Sequence, residues 1–242
     1  MRQPIARLGL SLSLSLFLSL GITVPCAATG AAEFAPWVPA GWNLTHTFTG
    51  DLDRDGKSDA VLVLHQADPA KLKPNSNFGP SGLNLNPRRL VVLLQTASGY
   101  QKVLETDRFL PTEHDAENSC LADPLDEGGL DIDRGLLRID LHYWLSCGSY
   151  GVTHRSFSFR YDKQRFRLIG LDIWSFMRNS GERTDYSFNF LTGKQKITTG
   201  LNEFEESKPK VSWKRIAGPK DFYLDEMQSN CAEEKMPTWC EL

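Results

Sequence analysis

Short apolar runs separated by polar, glycine-bearing turns recur along most of the chain, and their period is close to two rather than 3.6. Ala60-Val61-Leu62-Val63-Leu64 and Leu90-Val91-Val92-Leu93-Leu94 are short, continuous and rich in β-branched residues, which predicts strands buried on both faces. Upstream of the first run, residues 44–49 alternate as a half-buried strand does. Ser98-Gly99 turns the second run back into residues 100–106, giving a hairpin. Residues 130–133 then turn through Arg134-Gly135 into 136–145, where Leu137, Ile139, Leu141 and Tyr143 share one face. Further strands are predicted at 154–161, 165–176, 183–190, 194–199 and 210–216. Even spacing and glycine-bearing turns predict an all-β fold of antiparallel sheets, propeller-like or sandwich-like. A weak helical period occurs only at 222–231, while 66–89 and 109–127 carry no period and are predicted as loops.

Between the first two strands lies Gly50-Asp51-Leu52-Asp53-Arg54-Asp55-Gly56-Lys57-Ser58-Asp59. Aspartates at positions 1, 3 and 5, a glycine at 6, a carbonyl at 7 and an aspartate at 9 make an oxygen shell for a hard cation such as Ca²⁺. The predicted ligands are Asp51, Asp53, Asp55, the Lys57 carbonyl and Asp59. Without an ion, four carboxylates crowd about one turn, at an electrostatic cost. Position 12, where a helix–loop–helix sensor needs a bidentate glutamate, is Leu62. The loop therefore joins strands. Its D-x-D-x-D-G-x-x-D pattern resembles the calcium hairpins of FG-GAP and VCBS repeats, but it occurs once, which excludes a propeller of repeated blades. The alternative is a hairpin turn held by Asx hydrogen bonds without metal.

Arg2 and Arg7 precede an apolar, serine-interleaved run over 8–22, and small residues follow at Cys26-Ala27-Ala28 and Gly30-Ala31-Ala32. This predicts a secretory signal at 1–28, with cleavage as late as 32, and a periplasmic or secreted destination. Acylation of Cys26 is the alternative, with Thr23-Val24-Pro25 a poor approach to a lipidated cysteine. The run is too short for a comfortable transmembrane helix. Removing Arg2 and Arg7 leaves 25 basic against 30 acidic residues, hence −5, and the scattered basic residues argue against a nucleic-acid partner. Export leaves Cys120, Cys147, Cys231 and Cys240, an even set in an oxidising compartment. Cys120–Cys147 is the favoured pair within a β domain at 33–218, and Cys231–Cys240 in a tail at 219–242.

Enzyme signatures are absent: no G-x-S-x-G, phosphate loop, H-E-x-x-H or dinucleotide fingerprint. His142 and His154 could meet across a hairpin, and Glu113-His114-Asp115 has the residue types of an acid–base cluster; packed or solvated roles are the simpler reading of both. The stretch from Tyr143 to Gly151 sets Trp144, Ser146, Gly148, Ser149 and Tyr150 around Cys147. A stapled loop of this composition suits protein binding, because tyrosine offers contact area at low entropic cost. Ordinary packing of a stapled turn is the alternative.

Over residues 43–194 the order of features resembles a family of exported bacterial proteins. After the aspartate loop come Asp123-Pro124, a Gly-x-Leu strand, and a Gly-Ser turn into Phe157-Ser158-Phe159-Arg160-Tyr161. Leu168-Ile169-Gly170 and Asn189-Phe190-Leu191-Thr192-Gly193-Lys194 close the pattern. Some members resemble periplasmic immunity proteins that protect bacteria from lysozyme-like effectors. The resemblance implies a propeller-like calcium-binding β domain and, as partner, a secreted peptidoglycan hydrolase. Other lysozyme inhibitors use a Ser-Gly-x-x-Tyr loop; Ser146-Cys147-Gly148-Ser149-Tyr150 departs from it by a cysteine, and Ser98-Gly99-Tyr100 has the wrong spacing. The expected function is thus a calcium-binding, non-enzymatic inhibitor. A structural calcium-binding envelope module and an unrecognised hydrolase are the alternatives.

Overall fold

The computed structural model describes residues 32–217 and 221–228. The chain divides into two units, Met1–Ala35 and Pro36–Leu242, and the described part of the first is a turn at its end. Cys231, Cys240 and residues 1–31, with the predicted signal, lie outside the described residues.

The second unit is all-β. Its larger strands fall close to the apolar runs: β1 (Trp42–Gly50), β2 (Asp59–Gln66), β5 (Arg88–Thr96) and β6 (Gly99–Thr106) form one antiparallel sheet in the order β1-β2-β5-β6. Strands β7 (Gly129–Asp133), β8 (Leu136–Trp144), β9 (Gly151–Asp162), β10 (Arg165–Met177), β11 (Glu182–Asn189), β12 (Lys194–Asn202) and β13 (Lys210–Arg215) form a seven-stranded antiparallel meander. The inner faces meet in one core, with Val61, Val63, Leu90 and Val92 in the same cluster as Ile139, Phe157, Leu171 and Phe188. This is a sandwich-like arrangement. Ala60, Leu62, Leu64, Val91 and Leu93 are buried as well, so β2 and β5 are covered on both faces, which is why they read as continuous apolar runs. Phe109, from the irregular acidic segment, enters the core edge-on to Phe157 and Phe159, with centroids 5.1 and 5.5 Å away.

The structure corrects two expectations. Residues 66–89 are not without structure: they hold a 3-10 turn at Pro69–Lys71 and a small hairpin of β3 (Leu72–Pro74) and β4 (Gly82–Asn84). Side-chain amides supply the order that apolar period does not. The Asn86 amide donates to the Asp68 carbonyl (3.2 Å) and to Asn84 Oδ1 (2.9 Å). Asn84 in turn donates its amide to Glu113 (2.7 Å) and its backbone N–H to His114 Nδ1 (3.1 Å). The Glu113-His114 pair is thereby used to hold this loop.

Residues 222–228 are not helical. Leu168 donates to the Phe222 carbonyl (2.9 Å) and Leu224 to the Phe166 carbonyl (3.0 Å), where β10 has lost β11 as neighbour. Pairing with that free strand edge, with Leu224 and Met227 buried, outweighs a weak helical period. The first part of the expected tail thus belongs to the core. Among the described residues no helix is long and apolar enough to cross a membrane.

Candidate metal centre and disulfide-clamped loop

Gly50 at the end of β1 pairs with Asp59 at the start of β2, so the aspartate loop closes a strand–loop–strand hairpin. Arg54 (φ 66°) and Gly56 (φ 85°) take left-handed conformations that fold the loop back on itself. Leu52 plugs into the core and fixes the loop from below. The loop also meets the larger sheet. A Cβ on Gly50 would lie 2.6 Å from Ile132 Cγ2, and Arg54 Nη2 donates to the Arg134 carbonyl (3.1 Å) in the β7–β8 turn.

Asp59 is 0% exposed. Its Oδ2 accepts the Leu52 N–H (2.7 Å) and its Oδ1 the Gln95 N–H (2.9 Å), tying the loop to β5. Burial pushes the Asp59 carboxyl above its ordinary range; those two N–H donors oppose the shift and the nearby Asp53 charge adds to it. Carboxylate oxygens of Asp51, Asp53 and Asp59 lie within 4.8 Å of one another. Asp51 Oδ2 accepts the Gly56 N–H (3.0 Å), whereas Asp51 Oδ1 is buried and has no hydrogen-bond partner among the described residues. A carboxylate that converges with two others and keeps one buried oxygen unpartnered suits a hard divalent cation.

Of the residues chosen from sequence, three converge. The Asp55 carboxylate instead pairs with the Lys57 ammonium, whose hydrogen bond holds the Asp55 carboxyl below its ordinary range. Lys57 also donates its N–H to Asp55 Oδ1 (2.9 Å). Tyr161 and Gln164 join Asp53, Asp55 and Lys57 in lining an adjoining groove of about 540 Å³.

The second group of predicted residues runs from Trp144, the last residue of β8, through the loop that leads to β9. Cys120 and Cys147 form the expected disulfide, with Cα atoms 5.6 Å apart. Ser146 donates both its N–H (2.9 Å) and its hydroxyl (3.0 Å) to the Cys120 carbonyl, and the Gly151 N–H donates to the Ser149 hydroxyl (3.0 Å). Gly148 supplies the left-handed residue at φ 75°. Arg178, from the β10–β11 turn, clamps the loop. It donates to the Leu145 (2.9 Å) and Ser149 (2.7 Å) carbonyls and sits 5.3 Å above the Trp144 ring. Tyr150 remains 59% exposed.

Two residues of this region escape sequence reasoning. Arg178 carried no local signal, since its role depends on how the β10–β11 turn folds over. Phe78 did carry one: it is a lone aromatic in an Asn/Gly/Pro stretch, where no period offers it burial. It stands 81% exposed, yet its backbone is fixed. Its carbonyl accepts the Ser119 hydroxyl (2.7 Å) and the Asn75 amide (3.2 Å), and it lines a groove with Leu145, Cys147 and Gly148.

His142 and His154 do meet as cross-strand partners, ring centroids 6.4 Å apart, and His154 stacks on Trp174 at 5.3 Å. Burial lowers the affinity of His142 for a proton, while Glu127, 3.0 Å from its Nδ1, opposes that shift. Burial pushes the Asp140 carboxyl up, but hydrogen bonds from His154 and Ser156 outweigh it and leave it below its ordinary range. These groups pack along the face of the sheet, and they are not among the groups that converge tightly enough to hold a metal.

Comparison of the chain with family models, with curated proteins and with solved structures finds no match in any of the three.

Proposed function

We propose that the chain is an exported calcium-binding β protein that captures another protein on its disulfide-clamped loop and so inhibits it, as an immunity protein against a lysozyme-like peptidoglycan hydrolase. The observation that carries the calcium reading is the convergence of Asp51 with Asp53 and Asp59, with the buried Asp51 Oδ1 left without a hydrogen-bond partner among the described residues. An ion there would be held by those three aspartates and would neutralise Asp59, whose buried charge is otherwise opposed. Export is supported by the N-terminal pattern of Arg2, Arg7 and an apolar run, and by the Cys120–Cys147 disulfide.

Capture is supported by pre-organisation. Tyr150 is exposed on a loop whose carbonyls are fixed by Arg178 and whose centre is stapled, so little entropy remains to be lost on docking. Phe78 extends the same surface. The test mixes the chain with peptidoglycan hydrolases and follows lysis of cell walls. Inhibition that Tyr150→Ala relieves supports the proposal. Calcium binding without inhibition assigns a structural envelope module instead, and turnover of cell wall by the chain alone identifies a hydrolase.

A further inference from the structure

The outer face of the seven-stranded sheet carries, at its β13 edge, a groove of about 690 Å³ that is separate from both sites described above. Two adjacent ladder rungs build it, Ser187–Lys196–Trp213 and Asn189–Lys194–Arg215, each crossing β11, β12 and β13. Residues two apart on a strand share a face, so all six side chains project to one side, while Phe188 between them enters the core. Trp213 is 64% exposed. Lys194, Lys196 and Arg215 make no ion pair or side-chain hydrogen bond among the described residues.

Charges on an edge strand can serve only to discourage sheet-to-sheet pairing. That explanation fails for Lys194 and Lys196, because β12 is paired on both sides by β11 and β13. It also fails for Trp213, an exposed apolar ring on the edge strand itself. Three cations without internal partners call for an anion. A flat exposed indole and the hydroxyl and amide of Ser187 and Asn189 suit the two faces of a sugar, apolar C–H and polar O–H.

Size and boundary restrict the ligand further. With strands about 4.8 Å apart and same-face residues about 7 Å apart, two rungs of three strands cover roughly one or two sugar rings. Asp172 continues the first rung onto β10, and Asp185, one rung away on β11, already pairs with Arg183, so on that side the patch ends in a carboxylate and a closed ion pair. A nucleic-acid backbone, which needs a longer cationic track, is disfavoured. We propose that this groove binds an anionic oligosaccharide, with a sugar face stacked on Trp213 and a carboxylate or phosphate group held by Lys194, Lys196 and Arg215.

The test is calorimetric titration of the full chain with trigalacturonate (carboxylate), mannose 6-phosphate (phosphate) and neutral cellotriose, alongside hexaglutamate and oligothymidylate. At least one anionic sugar should bind about tenfold or more tightly than cellotriose and than either non-sugar anion. Trp213→Ala and the Lys194→Ser/Lys196→Ser pair should each weaken that binding about tenfold without shifting the melting temperature, because these side chains are not in the core; raised salt should weaken it too. Which of the two sugars binds identifies the anionic group. No heat from either anionic sugar at about 10 mM, binding that survives Trp213→Ala, or equal affinity for hexaglutamate or oligothymidylate overturns the proposal.

Discussion

Asp59 carries an unusual load for one side chain. It is fully buried, ties the aspartate loop and β5 to the start of β2 through two backbone N–H groups, and belongs to the converging aspartates. Because burial raises its carboxyl in the folded chain, folding without metal takes up a proton. The contribution of Asp59 to stability is then fully present below the ordinary carboxylate pKa of about 3.9 and is lost as pH rises through the raised folded value. A calcium ion bound there would need the ionised form and would reverse that trend. In chelator, the Asp59 contribution should fall with rising pH, whereas the calcium-induced gain in melting temperature should grow across the same window; melts against pH in the two buffers check both slopes. At a calcium concentration about 100 times Kd the gain should be about 2.7 kcal/mol. Asp51→Asn or Asp53→Asn should abolish most of it, and Asp55→Asn, which removes only an exposed partner of Lys57, should leave most of it.

At the scale of elements, the disulfide and the hydrogen bonds of Ser119 and Ser146 tie the β8–β9 loop and the Phe78 loop to residues 119–120. Cys120 and Cys147 are separated by 27 positions, and a cross-link over that length should stabilise by about 3–4 kcal/mol through the unfolded chain. A Cys120→Ala/Cys147→Ala variant should melt lower by that measure, and amide exchange over residues 145–150 should quicken even where the rest of the sheet stays protected. Gly79 (φ 105°) sits where an added Cβ would run into the Ser119 carbonyl. Gly79→Ala should therefore displace Phe78 and weaken capture of a hydrolase without altering calcium affinity, as binding measurements with each ligand would reveal.

The strands were legible in the sequence because burial on one or both faces leaves a period of two or none, as in β9 and β2. The aspartate hairpin was legible because its turn chemistry is local. Residues 66–89 were not, because their order rests on side-chain amides of Asn75, Asn84 and Asn86 reaching distant backbone and Glu113. Residues 222–228 depart from their helical period for a similar reason: the free edge of β10 that they pair with is set by where β11 ends, at Asn189, far away in sequence.

For the molecule as a whole, the two sheets share one core, with Leu52 of the aspartate loop and Phe109 of the acidic segment both inside it. Phe109→Ala should cost about 3–5 kcal/mol and lower the melting of both sheets together, since the inner faces of both contribute to the cluster that holds Phe109. The aspartate loop lies where the sheets meet, through Gly50 on Ile132 and Arg54 on Arg134, so an ion there would brace the whole sandwich. The most direct measurement is a calorimetric titration of the metal-free chain with Ca²⁺. One ion per chain, lost in Asp51→Asn and in Asp53→Asn, is the predicted result; no saturable heat, or a heat unchanged by those two substitutions, would contradict it.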